Sequence, residues 1–215
     1  MSKVISIEQA MDKIQDSAVL MIGGFLAVGT PDRLIDAVVG RGYKELTVIA
    51  NDTGFPDRGI GKLIVNRQVK KAIVSHVGTN PETGRQMNAK ELTVELAPQG
   101  TLIERIRSGG AGLGGVLTPT GVGTVVAEGK PTIIIDDREF LLEKPLRADV
   151  ALVKAHKADT EGNLVFRMST RNFNPQIATA ADVVIAEVEK IVPVGEISPD
   201  EVMVPGIFIN SIVQA

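Results

Sequence analysis

Residues 16–31 read Asp16-Ser-Ala-Val-Leu-Met-Ile-Gly-Gly-Phe-Leu-Ala-Val-Gly-Thr-Pro31. An apolar run, Val19–Ile22, empties into paired glycines, and this predicts a buried strand feeding a binding loop. Gly23 and Gly24 remove the Cβ atoms where the chain leaves the sheet, and Thr30 with Pro31 supply an expected N-cap and first-turn proline for a following helix. The loop carries no charge. A ligand there would meet backbone amides, a helix N-terminus and the Phe25 ring, which suits a thin, partly apolar molecule with an anionic or carbonyl end.

Outward from this loop, β-branched runs recur at residues 46–50, 71–74, 93–96, 132–135, 150–153, 164–166 and 183–188. Helical patterns fall at 7–15, 31–39, 102–107 and 174–181. Such alternation predicts an α/β fold, a mainly parallel sheet flanked by helices, with ligand loops at the carboxyl ends of its strands. Residues 131–144, PTIIIDDREFLLEK, read instead as two strands around Asp136-Asp137, a small antiparallel hairpin excursion. The apolar stretch 207–212 suggests a closing strand or an interface segment. No linker or repeat interrupts the chain, so residues 1–215 are expected to form a single domain.

Composition narrows the function. The chain has 215 residues, 44% apolar content and a net charge of −3 with both signs interspersed, which argues against nucleic-acid and polybasic membrane surfaces. Aromatic content of 3% removes base stacking as a main activity. The absence of cysteine excludes disulfides and thiolate chemistry, and two histidines without a nearby carboxylate pattern make a metal site unexpected. The opening residues form a polar amphipathic stretch, and no apolar run approaches the ~18 residues of a membrane span, so a cytoplasmic location is expected.

A second glycine-rich segment, Gly109–Gly123, contains Gly110-Ala-Gly112-Leu-Gly114-Gly115, a formal match to the dinucleotide pattern G-x-G-x-x-G. That fingerprint needs a strand before it and a helix after it; here a charged helical stretch, LIERIR, comes first. The segment reads as turn chemistry.

Eight segments carry a family resemblance: GGFLAVGTP, Val48-Ile-Ala-Asn-Asp-Thr-Gly54, SHVGTNPETGRQM, APQGTLIERIRSGGAG, TPTGVGT, KADTEGNLVFR, TRNFNP and PDEVMVPGI. Spread over nearly the whole chain, they resemble the α subunit of family I CoA-transferases, of the acetate/butyrate:acetoacetate type. One position departs from the family signature: Ser17 stands where glycine or asparagine is usual.

The resemblance implies the family's fold and transfer of CoA from an acyl-CoA to a free carboxylate. The route runs through anhydride and glutamyl-thioester intermediates, with the nucleophilic glutamate on a β subunit. Coenzyme A is then a substrate, as acyl-CoA, and no cofactor is permanently bound. The partners implied are the β subunit, in an α2β2 assembly, and short carboxylic acids; this chain alone is expected to be inactive. Nothing here matches the family's nucleophile turn, since Glu161-Gly162-Asn163 has the letters in another order and Glu128 and Glu196 read as solvated turn carboxylates. Gln99 matches the position whose side-chain amide contributes to the family's oxyanion hole. Gly23, Gly24, Phe25, Leu26, Ala27, Val28 and Gly29 are implied to line the thioester and pantetheine end of the pocket, Asn51 to stand beside them at a strand's carboxyl end, and Gly78, Gly109 and Gly110 to lie in the cleft. His76 and His156 read as structural or solvated, and Arg105, Arg107, Arg167 and Arg171 as open to CoA phosphates, the partner or ordinary ion pairs.

Two other classes compete. A sugar-phosphate-binding or regulatory α/β domain would want a basic cluster beside its glycine loop, whereas Arg33 is the nearest cation. A stand-alone hydrolase or isomerase would need its own nucleophile, and no such motif is present.

Overall fold

The structure, a computed structural model, describes residues 2–215. In chain order its elements are helix α1 (Ile7–Met11), strand β1 (Val19–Ile22), α2 (Asp32–Arg41), β2 (Leu46–Ile49), α3 (Gly61–Val65), β3 (Val69–Val74), α4 (Pro81–Asn88), β4 (Thr93–Leu96), α5 (Gln99–Gly110), β5 (Val116–Thr118), β6 (Thr132–Ile135), β7 (Arg138–Glu143), β8 (Ala148–Asp159), β9 (Leu164–Val165), α6 (Asn174–Ile177), β10 (Ala181–Val192) and β11 (Ser211–Gln214).

The main sheet runs β11-β10-β8-β1-β2-β3-β4, every neighbouring pair parallel, with β9 antiparallel on β8. From β1 the chain steps outward to β4, then resumes at β8 on the other side of β1. The point where the order reverses lies between β1 and β8, the place where an open parallel sheet forms a crevice at its carboxyl ends. Side chains alternate across the sheet. Leu20, Ile22, Val48 and Val74 pack on one face against Leu34, Ile35 and Val38 of α2 and Leu63 and Ile64 of α3, while Met21, Ile49 and Ile73 pack on the other against Leu102 and Ile106 of α5. The result is a three-layer sandwich with two apolar cores.

Several boundaries differ from the sequence expectations. β8 and β10 are each twelve residues long and pair along nearly their full length; the charge that interrupts each apolar run midway is met across the strands, Lys154 standing opposite Glu187 with Nζ to Oε1 at 2.8 Å. Helices α3 and α4 appear where no helical pattern was read, and α1 and α6 are shorter than their patterns. The stretch 207–212 resolves into a 3₁₀ turn and β11, which closes the sheet beside β10. Residues 132–143 do form a hairpin, β6–β7, whose turn residues Asp136 and Asp137 both have left-handed φ values of 49° and 60°, and β5 joins it to make a three-stranded antiparallel sheet. The expected cap of α2 is also revised. Its N-cap position is Pro31, and its third amide, at Leu34, donates instead to the buried Glu187 carboxylate at 3.0 Å. No helix among the described residues is long and apolar enough to cross a membrane.

Candidate active site

Four successive strands deliver their carboxyl ends to one cleft of about 380 Å³, lined by Phe25 and Leu26 after β1, Asn51 after β2, Ser75 and His76 after β3, and Gln99 after β4. Each element arrives for a local reason. β1 ends at Gly23, where a Cβ would lie 1.8 Å from Oδ1 of Asn174, so only glycine lets the buried Asn174 side chain approach. That amide accepts from the Lys154 amide at 2.9 Å and donates to the Gly29 and Thr170 carbonyls, while Asn172 donates to the Val28 carbonyl at 3.0 Å. The TRNFNP segment is therefore a clamp on the glycine loop.

Between its glycines the loop makes a two-residue hairpin turn. Phe25 and Val28 exchange both backbone hydrogen bonds, at 3.0 and 2.8 Å, across Leu26 and Ala27, whose φ values are 46° and 66°. Two non-glycine residues in the left-handed region are strained, each by roughly 1 kcal/mol or more. Asp52 supplies the compensation: its Oδ2 accepts from the Leu26 amide at 2.9 Å and from Asn51 Nδ2 at 2.6 Å, and its Oδ1 from the Gly54 amide at 2.7 Å.

This corrects one expectation. The amides of Gly23, Phe25, Leu26 and Val28 are spent on internal partners, Leu152, Val28, Asp52 and Phe25 respectively, so of the loop's amides those of Gly24, Ala27 and Gly29 are left without a partner among the described residues, and the loop's side chains on the cleft are Phe25 and Leu26.

From Asp52 the hydrogen bonds continue into the cleft. With its Nδ2 held, Asn51 presents Oδ1 to Gln99 Nε2 at 2.6 Å and to Ser75 Oγ at 3.3 Å, and Ser75 Oγ also donates to the Asn51 carbonyl at 2.7 Å. Gln99 is the first residue of α5, after Pro98, so the positive end of a twelve-residue helix stands at the same place. One Nε2 proton is committed to Asn51, which fixes the amide plane and leaves the second for a ligand oxygen. Asp32, at the start of α2, is exposed at the surface, yet desolvation raises its carboxyl above the usual value of 3.8, with Lys62 pulling it down and Glu187 pushing it up.

The remaining sequence candidates divide. Gly78 lies against the cleft, its missing Cβ next to the His76 ring. Ala27 packs beside Gly59, and Val28 faces a separate hollow with His156, Arg167 and Met168. Gly24 and Gly29 are packing positions against Thr30 and Thr170. The structure does not bring Gly109 and Gly110 to the cleft: they close the far end of α5, roughly 16 Å along the helix from Gln99 at 1.5 Å per residue, packed against Leu146 and Thr179. Of the arginines, Arg105 is buried in an ion pair with Glu95 and Arg107 pairs with Glu104. His156 is paired with Glu189 at 2.8 Å. Asp52 and His76 are the site residues that sequence reasoning missed. For Asp52 the only signal was its adjacency to Asn51 just past a strand; His76 reads from sequence as structural or solvated, and its ring, on the cleft wall, hydrogen-bonds to no described residue.

A model of the coenzyme A transferase family matches residues 4–215 of this chain. The acetate CoA-transferase subunit alpha of Escherichia coli (strain K12) is 55% identical over 212 residues, covering 99% of this chain and 96% of that protein. The acetoacetyl-CoA:acetate/butyrate CoA transferase alpha subunit of Clostridium acetobutylicum is 52% identical over 213 residues, covering 99% and 98%. The crystal structure of an acyl-CoA transferase apoenzyme from E. coli O157:H7 superposes with a TM-score of 0.90 at 24% identity, over 100% of this chain and 47% of that one, so this chain spans about half the length of that solved chain.

Proposed function

This chain belongs to the coenzyme A transferase family, as an alpha subunit, and from that premise we propose the reaction it serves: CoA is moved between a short-chain acyl-CoA (acetoacetyl-CoA, butyryl-CoA or acetyl-CoA) and a free carboxylate (acetate, butyrate or acetoacetate). The nucleophile is a glutamate of a separate β chain, and the working enzyme is an α2β2 assembly in the cytoplasm. One observation carries this reading. The cleft holds a positioned amide donor, Gln99 on Asn51, together with apolar walls, and none of its lining residues is a carboxylate.

In the first step the partner's glutamate attacks the acyl-CoA carbonyl, forming an anhydride and releasing CoA thiolate; the thiolate then attacks the glutamyl carbonyl, giving a glutamyl-CoA thioester and the first free acid. The acceptor carboxylate reverses the sequence, and the glutamate is regenerated. Each attack places negative charge on a carbonyl oxygen. The Gln99 amide, held by Asn51 at the positive end of α5, is suited to receive that charge, and losing one such donor costs ~10²–10³ in rate. Phe25 and Leu26 give the acyl end an apolar wall. The sugar-phosphate alternative is not favoured, because the loop carries no cation and the family match spans the chain.

The test is the site of the covalent intermediate. After the reconstituted enzyme is incubated with acetoacetyl-CoA and no acceptor, intact-mass analysis is expected to find the CoA adduct on the partner chain. An adduct on this chain would overturn the assignment.

A further inference from the structure

His76 ends β3 with its imidazole on the wall of the cleft. We propose that this ring is the carboxylate-recognition group of the site, binding one oxygen of the short acid that accepts CoA, and that residue 78 is glycine to make room for it. The inference rests on the transfer reaction proposed above and adds to it the residue that selects the acceptor.

Charge is the first argument. Of the six lining residues, Phe25, Leu26, Asn51, Ser75, His76 and Gln99, none is lysine or arginine, so His76 is the one basic side chain among them. Hydrogen-bonding capacity is the second. Asn51 and Ser75 are committed within the network at 2.6–3.3 Å and the free Gln99 proton is assigned to the carbonyl oxygen of the reacting thioester, whereas the His76 ring has no hydrogen-bond partner among the described residues. Its donor is available to whatever enters.

Packing is the third. A Cβ on residue 78 would lie 3.0 Å from Cε1 and 3.1 Å from Nε2 of His76, so the ring rests against the space that a side chain would occupy. The φ of Gly78 is outside the left-handed region, and the backbone there does not itself require glycine. A Cβ there would instead push the ring aside by a few tenths of an ångström. The root of the side chain is fixed as well, because the His76 carbonyl accepts the Thr53 amide at 3.2 Å and His76 bridges Asp52 across the strand ends.

An acid held by one oxygen at His76 keeps its other oxygen for attack, and its tail meets Phe25 and Leu26. A monocarboxylate with a short apolar tail fits this wall. A second carboxylate at the tail end would be desolvated against apolar surface with no cation beside it.

The experiment uses the assembled enzyme with His76→Phe, His76→Gln, Gly78→Ala and the double variant His76→Phe/Gly78→Ala, measuring KM for acetate and for acetoacetyl-CoA separately. His76→Phe is expected to raise the acetate KM by about 10-fold or more while the acetoacetyl-CoA KM changes little, and His76→Gln, which keeps a neutral donor, to raise it less. Gly78→Ala, which displaces the ring, is expected to raise the acetate KM too, but to add nothing on top of His76→Phe, since residues acting through one contact are not additive. An unchanged acetate KM in His76→Phe, or full additivity in the double variant, overturns the proposal. A wild-type complex that transfers no CoA overturns the reaction itself, and this role with it.

Discussion

Replacing Asp52 by asparagine changes almost no volume and removes one charge, yet it is expected to damage both stability and turnover. Three donors converge on this buried carboxylate: the Leu26 amide and Asn51 Nδ2 on one oxygen, and the Gly54 amide on the other, all at 2.6–2.9 Å. A carboxamide offers a single oxygen. In its better orientation that oxygen keeps Leu26 and Asn51, and the new NH₂ group faces the Gly54 amide, donor against donor. Losing that bond and leaving a buried N–H unmet costs about 1.5–3 kcal/mol, and the two retained bonds weaken because their acceptor is no longer charged. The sum, about 2–4 kcal/mol, corresponds to a fall in Tm of about 5–15 °C for a domain of this size. Because Asp52 also fixes the Asn51 amide that holds Gln99, kcat should drop by about 10-fold or more, with the acyl-CoA KM little altered. Differential scanning calorimetry of the assembled enzyme and steady-state kinetics read both. An Asp52→Asn enzyme that melts with the wild type and keeps kcat within about twofold of it would refute the idea that this carboxylate positions the loop and the amide.

Gln99→Ala is expected to assemble normally and to lose about 10²–10³ in kcat, which size-exclusion chromatography and CoA-exchange rates would establish together. Gly110→Ala should do the opposite, because its Cβ would fall 2.2 Å from Thr179 Oγ1 at the far end of α5: Tm drops by the equivalent of about 1–3 kcal/mol while kcat/KM of the folded enzyme is kept. Ser17→Gly should raise Tm slightly, by the equivalent of about 0.5–1 kcal/mol, since Ser17 has a φ of 63° that glycine adopts without strain. Desolvation holds the Asp32 carboxyl above its ordinary value of 3.8, so the native state binds this proton more tightly than the unfolded chain does. That contribution is fully present below the ordinary value and is lost as pH rises through the native one; Asp32→Asn should therefore flatten this part of the stability profile in denaturation curves taken across the acid range.

Where β-branched runs and glycines decide the backbone, the sequence is transparent. Val19–Ile22, Thr93–Leu96 and Thr132–Ile135 are strands at the residues expected: the first is a buried apolar run, and the other two, though largely exposed, are β-branched runs bounded by turn formers. α4 was opaque for a related reason: it covers its neighbours with Thr83 and Gln86, which bond to Thr53 Oγ1 and the Ile64 carbonyl, so PETGRQMN shows no apolar stripe. The length of β8 and β10 was hidden by cross-strand ion pairs, which look like loop charges until two strands are laid side by side.

At the cleft, Gln99, Asn51, Phe25 and Leu26 come together, with Gly78 behind the His76 ring, although residues 25 and 99 are separated by three strands of chain. The identity of Gln99 came through resemblance to a family, since a glutamine after a proline turn says nothing by itself. Asp52 and His76 stayed hidden because their roles are relational. One gathers donors from residues 26, 51 and 54, and the other needs the missing side chain of residue 78.

The central claim is that this chain holds half of a catalytic site, with the donor but not the nucleophile. CoA exchange between acetoacetyl-CoA and acetate or butyrate tests it most directly, measured with the chain alone and then with its β chain. Exchange is expected only in the mixture; exchange by the isolated chain would contradict the half-site assignment, because a nucleophile would then have to lie within these 215 residues.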